Sequence, residues 1–327
     1  MTILVWAGFF VLYISLLTLD LAVLHRESSV LSVRQALGWT VLWVAVALSA
    51  GGLIFGLYEY DWLGWSAGFG SPNLGGRDAF VQYVTGYLLE WSLSVDNIFV
   101  IALIFTYMKI PVTLQYRVLF WGIVGAIALR GLMIVMGAAL IQSFDWMFYV
   151  FGGILLVSAA RMLRSEEEEY DPSKSMLVRS IRRLFPITDQ LDGERFFSRL
   201  DGRLAATPLF VTLLFVDVAD TVFAVDSIPA IFAVTQDPFL VFTSNAFAIL
   251  GLRSLYFAIA GLMTMFRYLK LSLVFILGFV GVKMLLTQHL HISNLYSLAV
   301  IAGMLFIGIA ASIWASRRTA DRPIPHD

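Results

Sequence analysis

The chain has 327 residues, of which 59% are hydrophobic and 14% charged, with a formal net charge of −1 and a mean hydropathy of +0.83. A soluble domain carries more surface charge than that, so the chain belongs among membrane proteins, with no basic surface for nucleic acid. Cys is absent, which excludes disulfides, thiolate metal sites and dithiol redox chemistry within the chain. The four His residues, at 25, 289, 291 and 326, fall outside the apolar runs, so a metal site at membrane depth must be built from oxygen ligands.

Apolar runs long enough to cross about 30 Å of hydrocarbon occur nine times, near 3–24, 37–57, 79–107, 118–141, 146–163, 208–234, 241–264, 270–287 and 294–314. They are continuously apolar rather than alternating, which favours helices over barrel strands. The first run lacks a basic leading segment and a cleavage pattern, so it is expected to stay as a span. The segments 25–36, 108–117, 164–207, 265–270 and 315–327 hold 17 basic residues, and the intervening ones hold only Arg77. The positive-inside rule then places the N-terminus outside and the C-terminus in the cytoplasm. The connector 164–207 opens on Glu166–Glu169 and is too short for an independent domain. It is expected to be a solvated cytoplasmic link with a surface helix around 174–185. Trp62, Trp65, Trp146 and Trp314 sit at run ends and read as interfacial anchors.

The spans repeat one another. Glu90-Trp-Ser-Leu-Ser-Val-Asp96-Asn97 in the third answers Asp220-Thr-Val-Phe-Ala-Val-Asp226-Ser227 in the sixth, and Ala-Leu-Arg130-Gly answers Gly-Leu-Arg253-Ser in the spans that follow. The third span enters from outside and the sixth from inside, so 79–163 and 208–287 are expected to form an inverted pair of three-helix units, a transporter plan with its site at the midplane.

An ionised carboxylate at a helix centre costs about 2.5–3.5 kcal/mol or more, yet Glu90, Asp96, Asp217, Asp220 and Asp226 all lie near the middle of two spans. A purely structural alternative is a buried network in which Arg130 and Arg253 only fix helix packing. Two Arg against five acids leave an excess of negative charge, which favours a cation pathway with the two Arg as counter-ions. Carboxylates, with neutral oxygens from Asn97, Ser227 and Asn245, suit hard ions such as Mn, Mg and Ca. Glu90 and Asp96, six apart, cannot share a helix face, whereas Asp217 and Asp220 can. Pro229 removes one backbone hydrogen bond, and a break at Asp226-Ser-Ile-Pro229 would aim the Val225 carbonyl at a shared ion. Asp20 and Lys283, near span ends, are explained by snorkelling. No phosphate loop, nucleophile elbow or HExxH pattern is present to carry an enzyme.

These motifs, with Thr243-Ser-Asn245-Ala-Phe-Ala-Ile-Leu-Gly-Leu-Arg253, resemble those of the TerC family over nearly the whole chain. Asp217 stands where the family has an acid, often Glu, which keeps the ligand set intact. The resemblance implies manganese efflux, membership of a broad cation-exporter superfamily and a link to tellurium resistance. Some members are instead described as redox modulators, so the alternative is a membrane stress protein, responding to tellurite or pH, without direct transport. Taken together, the expected molecule is an all-α, polytopic membrane helix bundle of about nine spans, a single membrane domain over 1–327 in a bacterial inner membrane. Its expected work is secondary export of a divalent cation, Mn(II) foremost. Its expected partners are the lipid bilayer and the divalent ion, with no nucleic acid and no permanently bound cofactor.

Overall fold

The computed structural model describes residues 2–24, 32–65, 74–144, 146–164, 186–188, 190–200, 203–260, 269–287, 289–290 and 292–320. Among these, ten α-helices and one hairpin account for the fold: α1 (Thr2–Leu24), α2 (Val33–Glu59), α3 (Gly76–Tyr107), α4 (Val112–Ser143), α5 (Met147–Arg164), β1 (Phe197–Leu200), β2 (Arg203–Ala206), α6 (Pro208–Phe232), α7 (Pro238–Leu250), α8 (Leu252–Ala260), α9 (Leu269–Leu286) and α10 (Asn294–Ala320). Local chemistry marks the starts. Ser32 and Gln35 form a capping box before α2, Pro208 opens α6, and Asp237 accepts from the Phe239 and Leu240 amides ahead of Pro238 in α7.

Among the described residues seven helices are long and apolar enough to cross a membrane, and α7 with α8, bent by 45°, makes an eighth. α9, with 18 residues, fills the remaining run at 270–287. The broken span is not where Pro229 pointed. α6 continues through Pro229 to Phe232 all the same, and the Pro229 carbonyl still accepts from the Ala233 amide at 3.1 Å. The break falls instead at Gly251, in the run expected as one helix over 241–264, where the Trp43 side chain of α2 presses so closely that a methyl on Gly251 would lie 3.1 Å from it.

α3 sits centrally, against α2, α6, α7, α8 and α10, while α4 packs on α6, and α5 on α9. α4 and α6 run in the same direction: Gly122 meets Val216, Gly125 meets Asp217, and Gly137 meets Phe232. Tight turns follow α3 and α6, so α3 and α7 share the opposite direction. α5 and α9 cross reciprocally. A methyl on Gly152 would meet the Gly281 carbonyl at 3.1 Å and Leu285 at 2.8 Å, and one on Gly281 would meet the Gly152 carbonyl at 3.2 Å and Leu156 at 3.1 Å.

Of the connector, 165–185 and with it the expected surface helix lie outside the described residues. The remainder holds a hairpin that sequence reading did not foresee, pairing Phe197 with Ala206 and Leu200 with Arg203. Glu194 ties this segment to the start of α4 through Arg117 at 2.7 Å and Tyr116 at 3.1 Å.

Three residues read from their place at span ends are sited differently. Trp62, Trp146 and Trp314 are exposed as anchors should be, but Trp65 is buried between Tyr58 and Phe239. Asp20 and Lys283 do not snorkel either; both are buried, Asp20 in an ion pair and Lys283 beside a cavity.

Candidate functional site

Four of the sequence-derived site residues converge on one point between α3, α4, α6 and α7. Arg130 of α4, 2% exposed, directs its guanidinium toward α3, α6 and α7. It grips Asp220 of α6 with two parallel hydrogen bonds, Nε to Oδ2 at 3.0 Å and Nη2 to Oδ1 at 2.7 Å. Nη1 donates to Glu90 of α3, which is fully buried, and to Asn245 Oδ1 of α7 at 3.0 Å. The Asn245 amide closes the ring by donating to Glu90 Oε2 at 3.1 Å. A guanidinium suits this role because its planar fork serves several oxygens at once and stays charged in any surroundings. One cation against two carboxylates leaves the cluster with a net negative charge, at membrane depth, where such an excess is costly.

Asp217 adds to that excess. It stands one helical turn before Asp220 on the same side of α6, as its spacing requires, and rests on α4 where only a glycine leaves room: a methyl on Gly125 would lie 2.9 Å from Asp217 Oδ1. That oxygen is buried with no hydrogen-bond partner. Buried carboxylate oxygens rarely go unsatisfied, so this one is a ready acceptor for an ion or for water.

Asp226 and Asp96 face elsewhere. Six positions beyond Asp220 the helix has turned by 240°, and Asp226 meets α5, accepting from the Ser158 hydroxyl at 2.6 Å with Arg161 in electrostatic reach. Asp96 likewise turns away from Glu90 toward the charge of Lys270 on α9. Asn97 and Ser227 are buried beside these acids, and the Ser227 hydroxyl has no partner. Among the described residues no three acidic or His side chains come close enough to hold one ion.

Arg253 does not join the acids with which its sequence position paired it. It follows the break at Gly251, which swings α8 by 45° and carries the side chain toward α1. There Nη2 donates to the Asp20 carboxylate at 2.9 Å and to the Asp20 carbonyl at 2.7 Å, while Trp43 Nε1 holds the other carboxylate oxygen at 3.1 Å. Its counter-ion is thus Asp20, a residue that sequence reading had left as a snorkelling acid.

Sequence reasoning missed Ser158 and Gly125. The signal for Ser158 was faint, a lone hydroxyl three positions before Arg161 in an otherwise apolar run. Gly122 and Gly125, three apart on α4, were legible as a small-residue face but not as the seat of Asp217.

Comparison with known proteins agrees with this architecture. Residues 75–320 match the profile of the integral membrane protein TerC family. A membrane protein of Myxococcus xanthus is 47% identical over 322 residues, 98% of this chain and 96% of its own length. Alx of Escherichia coli K12, named as a membrane-bound redox modulator, is 42% identical over 318 residues, 97% of this chain and 96% of its own. A Rickettsia bellii membrane protein is 39% identical over 308 residues, 94% of this chain and 96% of its own. No solved structure matches.

Proposed function

Since this chain belongs to the TerC family of integral membrane proteins, we propose that it is a secondary transporter that exports a divalent cation, Mn(II) foremost, across a bacterial inner membrane. The observation that carries the reading is the Arg130 cluster, in which a built-in cation is clamped by Glu90, Asp220 and Asn245 where helices of both halves meet. Glu90 and Asp220 are the two acids that the repeated motif equates, and one guanidinium holds both. The parallel course of α4 and α6 and the reciprocal crossing of Gly152 and Gly281 support an inverted repeat around the same centre.

The donors fit a hard divalent ion. Glu90, Asp217, Asp220 and Asn245 offer only oxygens, which Mn(II) accepts and which Zn and Cu sites usually supplement with His or Cys. Arg130 acts as the resident counter-ion of the empty state. The arriving ion takes Glu90 and Asp220 from it. Asp217, whose buried oxygen has no hydrogen-bond partner, has to turn from the face of Gly125 to join them, since the three carboxylates do not yet share one point. Asp226 with Ser158, and Asp96, serve as separate stations along the route. Basic residues concentrated on the side of the 164–207 connector place that side in the cytoplasm, with the N-terminus outside.

The test is uptake of radioactive manganese into inverted membrane vesicles that contain the protein. Glu90→Gln and Asp220→Asn should each slow it about 10–100-fold, the worth of one to two charge-assisted hydrogen bonds, with the protein still in the membrane. Normal uptake by both variants would overturn the site. Vesicles that take up no divalent ion would overturn transport. The name carried by Alx raises a second reading, redox modulation. With no Cys in the chain, thiol exchange would have to come from a partner, and cellular manganese would then not fall when the protein is expressed.

A further inference from the structure

Away from the carboxylates, on the face opposite the 164–207 connector, a cavity of about 320 Å³ opens between α3, α5, the end of α6 and the end of α9. Lys283 lines it and is buried, 6% exposed as a residue. Among the described residues its ammonium forms no ion pair and donates to a neutral partner, Asn294 Oδ1 at 3.1 Å. Around it stand the amides of Gln82, Gln236 and Asn294 and the hydroxyls of Thr235 and Thr287, with Phe148 and Phe232 as apolar walls. None of the described residues lining the cavity is acidic.

A buried charge without a counter-charge is expensive, and in native structures it is normally paired. Lys283 sits in the last turn of α9, whose carbonyl end offers partial negative charge but not a full counter-charge. Of the carbonyls nearby, Ile231 already accepts from the Val234 and Thr235 amides and Leu286 from those of His289 and Leu290. At its other edge the cavity meets Asn294, the first residue of the 27-residue α10, whose N-terminal end favours negative charge. The cavity is also of the size that takes a small molecule, about 300 Å³ being the lower end for ligand sites. We infer that it binds a singly charged oxyanion, with Lys283 as the ion-pair partner and the amides as further donors. A small carboxylate and the phosphodiester of a phospholipid headgroup share this chemistry.

The experiment uses the full chain in dodecyl maltoside micelles, which carry no phosphate, and titration calorimetry with two probes, propionate and dihexanoylphosphatidylglycerol. Saturable binding of propionate identifies a free carboxylate, and binding of the lipid alone identifies a headgroup site. In either case Lys283→Met should weaken binding at least tenfold and Lys283→Arg should keep it within about threefold, the difference between a lost and a conserved charge. Asn294→Asp keeps the shape of the pocket but gives Lys283 an internal carboxylate, so it should also weaken binding at least tenfold. It carries the test if Lys283→Met does not reach the membrane. Failure of both probes to bind the unaltered protein, or binding unchanged in Asn294→Asp, overturns the inference.

Discussion

Arg130 and Arg253 hold matching places in the two halves of the sequence, and the fold gives them different work. Arg130 stays at the crossing of α3, α4, α6 and α7 and carries three side-chain partners, two of them carboxylates drawn from the two repeated motifs. Arg253 is swung outward by the bend at Gly251 and ties α8 to α1 through a single carboxylate and a carbonyl. A matching place in the sequence therefore does not fix a shared role: what each arginine meets is set by the helices packed around it.

The largest effect should come from breaking the central arginine. Arg130→Gln leaves two buried carboxylates facing each other and should cost about 3–5 kcal/mol, the range for a buried ion pair stripped of one partner. Followed by thermal unfolding in detergent, this variant should recover on addition of Mn(II), by about 2.7 kcal/mol when the metal stands at 100 times its Kd. Arg253→Met should cost less, about 2–3 kcal/mol, because Asp20 keeps its bond from Trp43. It should not be rescued by metal, and vesicle uptake should stay within about twofold of the unaltered protein, a difference under 0.5 kcal/mol. Equal rescue of both variants would erase the distinction between the two arginines.

Asp226 offers a finer probe. Its bond from Ser158, at 2.6 Å, is charge-assisted. Ser158→Ala should weaken half-saturation of manganese uptake about tenfold, the worth of roughly 1.5 kcal/mol, with little change in unfolding temperature. Uptake indifferent to Ser158 would remove Asp226 from the route.

Much of this was legible in the sequence. Nine apolar runs marked where helices lie, and intramembrane acids marked the centre, because burial in lipid penalises charge so strongly that a short list of residues stands out. Glu90, Asp220, Asn245 and Arg130 were all on that list and meet in the fold. What the sequence hid was direction. Whether a helix bends at Pro229 or Gly251 depends on what presses against it, here Trp43 of α2, far away in the chain. For the same reason Asp20 and Arg253, separated by 233 residues, could not be paired from spacing alone. Ser158 was hidden because a single hydroxyl in an apolar run looks the same whether it bonds its own helix or a neighbour's carboxylate.

The smallest effect bears on the axis itself. If a two-fold passes between the halves, any helix crossing it meets its own counterpart, and the contact is reciprocal. Gly152 and Gly281 meet in this way, each against the other's carbonyl and against the leucine four residues beyond the other glycine. Gly152→Ala and Gly281→Ala should each overpack the crossing and cost about 1–3 kcal/mol. Both methyls are relieved by one movement, a slight separation of α5 from α9. The double variant should therefore cost less than the sum of the singles, by about 0.5–1 kcal/mol of coupling, as expected of residues in contact. A comparison pair off the axis, Gly152→Ala with Gly251→Ala, touches different neighbours, since Gly251 rests on Trp43. Those two costs should add to within about 0.5 kcal/mol. Were the on-axis pair to add as simply as the off-axis pair, the crossing would be two independent contacts. The inverted repeat would then lose its most local support, and the equivalence of Glu90 and Asp220 would rest on the repeated motif and on Arg130, which holds both.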